Sequence, residues 1–342
     1  MKKRKIPVVA ITMGYPAGVS PELIVKTLSK ERIRKPRGVV VLGDMRVLDK
    51  ASRLSGVSVE WNLVEDIEQA EFKSPSVDLV DFQNAPLEDL EWGKILPSLG
   101  RASGEYLEVA WKATVERKVD GIVSGVLCKE ALNKGGYPCQ DELELFSKIT
   151  DSPEPFLVGV TGGLWTIPVT THLPFREIHQ KITKDNVLSH IIAIDQLMRQ
   201  CGFDKPRIAV AALNVHAGEG GLFGDEEATA IIPAIVEAQR LEIDASGPYA
   251  ADTMFVRARK KEFDSIVGMY HDQINIGRKL VGRLKGVTLF AGLPVPCGTP
   301  AHGTAFDIAG RGVADSSSME MTIEIVARLS SVMRRCKLRS YT

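Results

Sequence analysis

Short apolar runs rich in β-branched residues recur along this chain, and most are followed by a stretch with helical spacing. Residues Ile6–Thr12, Gly38–Leu42, Gly121–Ser124, Ile208–Leu213 and Ser265–Met269 read as strands. Leu157–Val160 and Trp165–Thr170 read as a strand pair. Helical spacing marks Pro21–Ser29, Arg46–Leu54, Tyr106–Arg117, Asp185–Gln200, Ala228–Arg240 and Met319–Met333. Strands alternating with helices predict an α/β fold with a largely parallel sheet. No internal repeat or low-complexity segment interrupts the pattern, and residues Lys73–Leu99 form a loop-rich excursion. At roughly 150 residues per domain, a chain of 342 residues suggests two domains.

Charge excludes some functions. Lys plus Arg number 43 and Asp plus Glu 43, so the formal net charge is zero. The basic clusters at Lys2–Lys5, Arg32–Arg37 and Arg257–Lys261 are short, which suits solvated surface better than a nucleic-acid face. Five widely spaced cysteines (Cys128, Cys139, Cys201, Cys297 and Cys336) form no CxxC pair, which argues against a disulfide framework and fits a reducing compartment. The apolar stretch after Lys5 ends at Gly14-Tyr15-Pro16 without a cleavage site, so it reads as a buried first strand. No apolar run approaches the roughly 18 residues of a membrane helix. The expectation is a cytoplasmic protein with no membrane partner.

Three of the six histidines follow strand ends: His172 in Thr171-His172-Leu173-Pro174, His216 in Asn214-Val215-His216-Ala217-Gly218 and His271 in Tyr270-His271-Asp272-Gln273. Loops after strand ends are where α/β proteins place their chemistry. Three imidazoles can hold a divalent metal and leave a position open; the alternative is three loop histidines that hydrogen-bond locally. His179 and His190 lie in helical patterns and read as surface or packing residues. Residues 218–227 form a glycine-rich loop running into a helix, open either to close backbone approach by a ligand or to a tight capped turn. In Gly14–Glu22, Ser20-Pro21 is a good N-cap and first-turn pair.

His302-Gly303-Thr304-Ala305-Phe306-Asp307-Ile308-Ala309-Gly310-Arg311-Gly312 is longer and more specific. It resembles the adenosine-binding loop of the isopropylmalate and isocitrate dehydrogenase group. With Gly14–Glu22, Lys129-Glu130-Ala131-Leu132, Thr171–Pro174, Leu213–Gly221, Ala251-Asp252-Thr253 and Tyr270–Gln273, it makes the whole chain resemble the 4-hydroxythreonine-4-phosphate dehydrogenase family, the PdxA type.

The resemblance implies an isopropylmalate/isocitrate dehydrogenase-like fold of two α/β domains with a cleft between them. One would hold residues 1–125 and 299–342 on the cofactor side, the other residues 126–298 with metal, substrate and dimer contacts. It implies a homodimer with a shared active site. His172, His216 and His271 would bind one divalent ion (zinc, manganese, magnesium or cobalt), one of them from the partner. His302, Gly303, Thr304, Asp307 and Gly310 would hold NAD or NADP. Lys279 would contact the substrate and neutralise its carboxylate or move a proton, while Asp252 and Asp272 would orient the metal ligands.

The substrate positions depart from the family pattern. A usual Gly-His-Thr-Glu is replaced around Glu142 and Leu143, and the family's Asn and Arg beyond the lysine become Thr288 and Cys297. Tyr15 stands where an acid is usual, and Ser20 where Gly is usual. Cysteine cannot reproduce the bidentate grip of arginine on an anion. The expected activity is therefore metal- and NAD(P)-dependent oxidation of a secondary hydroxyl of a hydroxy acid other than 4-phosphohydroxythreonine, with decarboxylation following if the product is a β-keto acid. The alternatives are a dehydrogenase for a phosphorylated four-carbon sugar acid or 4-hydroxythreonine-4-phosphate, and a non-oxidising metabolite-binding or acyl- or phosphoryl-transfer paralogue.

Overall fold

The structure, a computed structural model, describes residues 6–35, 37–88, 90–139, 142–152, 155–282 and 285–339, with side chains to 334. Lys2–Lys5 and the Cys336 side chain lie outside these. The chain divides into two units, Met1–Pro155 with Leu293–Thr342, and Phe156–Gly292.

The first unit opens with β1 (Val8–Thr12), α1 (Ser20–Leu28), the single turn α2 (Glu31–Arg34), β2 (Gly38–Gly43) and α3 (Met45–Ser55). It continues through β3 (Trp61–Val64), β4 (Val77–Asp81), α4 (Pro97–Val115), β5 (Gly121–Ser124), α5 (Lys129–Lys134) and α6 (Glu142–Thr150). The second unit holds β6 (Phe156–Thr161), β7 (Leu164–Pro168), the single turn α7 (Ile178–Lys181), α8 (Lys184–Gln200), β8 (Ile208–Ala211) and α9 (Ile232–Arg240). There follow β9 (Ala245–Tyr249), α10 (Ala251–Arg259), β10 (Ser265–Gly268), α11 (His271–Gly282) and β11 (Val287–Ala291). The chain then returns to the first unit as β12 (Cys297–Pro300) and α12 (Ser317–Arg339).

The first unit is parallel throughout, in the order β3-β4-β2-β1-β5-β12. Val9 sits between Val39 and Gly121 in this register. The central strands β1 and β2 are buried along their whole length, which is why they read as unbroken apolar runs. The second unit runs β11-β6-β7-β10-β8-β9. There β6 is antiparallel to β7 and β11, while β7, β10, β8 and β9 are parallel. The β6–β7 pair is closed by Gly162 and Gly163, both at positive φ, as a two-residue hairpin turn requires. Its core gathers Leu164, Ala209, Ala211, Met254, Phe263, Ile266 and Ile274.

Several boundaries differ from expectation for physical reasons. Helix α4 starts at Pro97, well before Tyr106, because its first turns are small residues without apolar spacing. They are small because α5 presses on them: a Cβ added at Gly100 would lie 1.9 Å from the Ala131 carbonyl oxygen. The same contact goes with α5 lying in the first unit, which comprises residues 1–155 and 293–342. The loop-rich excursion contains β4, disguised by Asp78 and Asp81. Asp78 is buried because its carboxylate accepts from the Glu71 and Phe72 amides. Ser20 is not the N-cap of α1: Val19 is, and the Ser20 hydroxyl accepts from the Val126 amide instead.

Candidate active site

In the second unit, β7, β10 and β8 are adjacent parallel strands, and each is followed within a few residues by one of the three histidines. The register pairs Pro168 with Gly268, so the chains leaving β7 and β10 emerge side by side. That brings His172 and His271 together, with ring centroids 5.8 Å apart. His271 Nδ1 lies 2.7 Å from Asp272 Oδ1, an arrangement that fixes the ring's orientation and leaves Nε2 outside that contact. His216 stands apart from this pair. Its Nδ1 is 3.3 Å from Glu219 Oε2 and its side chain is 64% exposed. Among the described residues, no three His, Cys, Asp or Glu side chains of one chain gather closely enough to hold a metal ion.

The loop carrying His216 is unusual. His216, Ala217, Gly218, Glu219 and Gly220 all have positive φ, between 42° and 78°, and form a left-handed turn. Non-glycine residues rarely adopt this region, at a cost of roughly 1–2 kcal/mol each. The turn is held from below by Glu227, whose carboxylate is buried and accepts from the Leu213 and Asn214 amides and from Asn214 Nδ2. Glu226 accepts from the same Asn214 amide, which holds the Glu226 carboxyl below its usual range. The acidic pair opens the helical segment that begins at Glu227 and at the same time braces the histidine loop. Its sequence clue was a pair of carboxylates next to an Asn-containing strand exit.

Asp252 is exposed in the first turn of α10, and Lys279 is exposed on α11. Lys279 lies eight residues beyond His271, about 12 Å along the helix axis. Thr288 on β11 lies opposite Gly159. The adjoining side chain of Arg278 covers Gly159, so that a Cβ there would meet Arg278 Cδ at 2.9 Å. Sequence reasoning passed over Arg278. Its guanidinium is buried, with Asn275 Oδ1 as acceptor, and burial lowers its pKa. His190 points Nδ1 at Asn186 O, 2.7 Å away, and packs edge-on to Phe156, while His179 is exposed in α7.

In the first unit, the 302–312 loop is strapped to the Gly14–Glu22 turn, far away in sequence. The Val19 amide donates to Thr304 O and the Gly310 amide to Glu22 Oε1. Lys26 Nζ donates to the carbonyls of Gly312 and Ala314. Gly310, at φ 78°, lets Trp92 pack where a Cβ would strike its ring at 2.4 Å. Meanwhile Gly303 and Asp307 stay exposed, and His302 and Thr304 are half-buried. A loop anchored at its back with open backbone in front fits the holding of a nucleotide. Tyr15 is fully buried; its hydroxyl donates to Lys94 O, accepts from the Leu96 amide, and is pushed up to about 12 chiefly by burial. It is a structural tyrosine.

Glu142 opens α6 and pairs with Lys129, Oε2 to Nζ 3.2 Å; Leu143 beside it is half-buried. Cys297 lies on β12 opposite Ile122, with 1% exposure and its thiol pKa raised by burial, so it offers no sulfur to a ligand. Cys128, Cys139, Cys201 and Cys297 are all buried and form no disulfide among the described residues.

A family model described as pyridoxal phosphate biosynthetic protein PdxA matches residues 35–326. The chain belongs to the PdxA family. It is similar to D-threonate 4-phosphate dehydrogenase of Cupriavidus necator, 38% identical over 327 residues, 95% of this chain and 98% of that protein. A crystal structure of 4-hydroxythreonine-4-phosphate dehydrogenase from Klebsiella pneumoniae matches with TM-score 0.83 and 32% identity, covering 96% of this chain and 99% of that one. A terephthalate 1,2-cis-dihydrodiol dehydrogenase from Burkholderia xenovorans LB400 matches with TM-score 0.66 and 25% identity, covering 95% and 98%. This PdxA-family chain is thus a dehydrogenase with the α/β fold of those enzymes. Among the described residues, no helix is long and apolar enough to cross a membrane.

Proposed function

We propose that the protein is a metal- and NAD(P)-dependent dehydrogenase that oxidises the secondary hydroxyl of a hydroxy acid, acting as a cytoplasmic homodimer. The observation that carries this is the His172–His271 pair, 5.8 Å apart at the ends of adjacent parallel strands. Two imidazoles at that spacing fit one cation with nitrogen ligands at about 2.0–2.1 Å. The third donor is His216 of a second copy, consistent with its exposure and its separation from the pair.

A divalent ion there would supply Lewis acidity, lowering the pKa of a coordinated hydroxyl. A nicotinamide dinucleotide on the loop of His302, Gly303, Thr304, Asp307 and Gly310 would accept the hydride. The chain's own groups do the rest. Asp272 fixes the His271 ring, and Glu227 holds the backbone from which His216 projects. Asp252 would orient the ion's ligands, and Lys279 would meet the substrate's anionic end. Because Lys129 neutralises Glu142, that carboxylate does not by itself repel an anion. This supports a phosphorylated four-carbon hydroxy acid, the class named for the Cupriavidus relative. The second reading, a non-phosphorylated acid, is favoured by the threonine and the buried thiol at 288 and 297.

The test is nicotinamide reduction, followed by absorbance with zinc, manganese, magnesium or cobalt. The substrates are D-threonate 4-phosphate, 4-hydroxythreonine-4-phosphate, their non-phosphorylated acids and a cis-dihydrodiol carboxylate. His271→Ala is expected to lower kcat at least about a hundredfold with the fold retained. Undiminished turnover in that variant, or no reduction with any substrate in the parent, overturns the reading. Carbon dioxide release, measured in the same reaction, reports whether the product decarboxylates.

A further inference from the structure

A cavity of about 180 Å³ lies in the first unit, bordered by Arg34, Arg37, Ser74, Ser76, Phe72 and Ile6 among others. We propose that this cavity is a binding site for a phosphate-type dianion, separate from the active site.

The walls are built to stay open. Asp78, buried in β4, holds the Glu71 and Phe72 amides and so fixes Phe72, at φ 53°, with its ring against Gly38. Gly38 is required there, since a Cβ would meet the ring at 2.9 Å. Arg34 and Arg37 both line this space. Arg34 Nε and Arg37 Nη1 are both buried without a hydrogen-bond partner. Arg34 uses one other nitrogen, Nη1, to donate to the Pro75 carbonyl. Glu324, the carboxylate that acts on Arg37, is already engaged by Arg32 at 3.0 Å. The neighbouring Lys35 is paired with Glu31 at 2.5 Å.

Burying an unsatisfied charged donor is costly, and such groups are normally paired. Here two arginines and Ser74 border one volume, beside Ser76, whose hydroxyl donates to the Lys73 carbonyl, and burial lowers the Arg37 pKa. The space corresponds to roughly six waters at about 30 Å³ each, enough for a tetrahedral oxyanion. Two guanidinium forks match the geometry and charge of a phosphate group.

The place in the fold separates this site from the chemistry. Ile6, Val39 and Val77 lie at the amino ends of β1, β2 and β4. The Gly14–Glu22 turn follows the carboxy end of β1, a strand of five residues or about 17 Å away.

The test uses inorganic phosphate as probe, titrated calorimetrically into the full-length protein, with acetate and chloride as controls. The parent is expected to bind phosphate at this site, and Lys279→Met to retain it. Arg37→Met and the double variant Arg34→Met/Arg37→Met are expected to weaken it at least about tenfold. In phosphate-free buffer, Arg37→Met is expected to melt no lower than the parent, since it removes a buried donor without a partner. With phosphate added, the melting temperature should rise in the parent and not in Arg37→Met. Should the double variant fail to fold, Arg37→Lys, which keeps the charge and loses the fork, carries the same expected loss. Identical phosphate isotherms in parent and arginine variants overturn the proposal, as does binding abolished by Lys279→Met alone.

Discussion

Asp44 shows how a single residue ties stability to pH. It caps α3, accepting from the Arg46 and Ala85 amides, and its two oxygens grip the Arg46 guanidinium at 3.0 and 2.7 Å. Burial alone would raise its pKa, but the Arg46 and Ala85 hydrogen bonds outweigh it and leave the carboxyl below its ordinary range. The folded value lies below the unfolded value of about 3.9. Its contribution is therefore complete above that pH and is lost as pH falls through the folded value. Asp44→Asn is expected to lower the unfolding free energy by about 1–2 kcal/mol at pH 7. In urea titrations the gap between parent and variant should narrow as pH falls below the unfolded carboxyl value. A gap independent of pH would contradict the assignment. Tyr15 and Cys297 teach a different lesson at this scale. Both read in the sequence as departures from the resembled pattern, yet one is tied to backbone and the other is sealed in a strand. Residue identity marked the change; only packing showed that both side chains are buried.

Among the elements, the left-handed turn at His216–Gly220 is the one whose shape local propensity opposes. Ala217 holds φ 55° with no glycine freedom. The strain persists because Glu227 and the Phe223-to-Gly218 backbone hydrogen bond close the turn around it. Ala217→Gly is expected to raise the unfolding free energy by about 1 kcal/mol, read as a higher melting temperature. A lower melting temperature would mean that the methyl group packs usefully and that strain is not the controlling term. Helix α4 shows the reverse case, in which tertiary contact dictates composition. Gly100 and Gly104 look like helix breakers, yet they are the positions where Ala131 and Tyr137 press in, with a Cβ at Gly104 only 2.2 Å from the tyrosine ring. The periodicity of α4 was illegible in its first turns for that reason.

For the whole molecule, the exposed apolar residues of the second unit bear on assembly. Val215, Leu222 and Phe223 flank the His216 turn, with Leu222 72% exposed, and Ile276 and Leu280 lie on α11. Isolated exposed apolar residues need no explanation, but a group of them around the His216 turn suits a contact surface. The proposed dimer would cover them. The double variant Leu222→Asp/Phe223→Asp is expected to sediment as a monomer with unchanged circular dichroism and to lose turnover. A variant that remains dimeric and active would remove this surface from the interface.

The α/β class, the parallel strands and the positions of His172, His216 and His271 after strand ends were all legible along the chain. They arise from periodicity and local order, which neighbours in sequence dictate. The family motifs were legible too, because a loop such as 302–312 carries its own residues in a row. What folding alone settled is proximity. That His172 meets His271 while His216 does not, that Glu142 is neutralised by Lys129, that Glu227 braces a histidine loop and that α5 belongs with the first unit all depend on contacts between distant segments. The same holds for Arg34 and Arg37, a surface cluster by composition and, by structure, half-buried side chains each with one buried nitrogen lacking a hydrogen-bond partner. Short-range pattern governs which elements form; long-range packing governs which charges and imidazoles share a volume, and chemistry follows from the second.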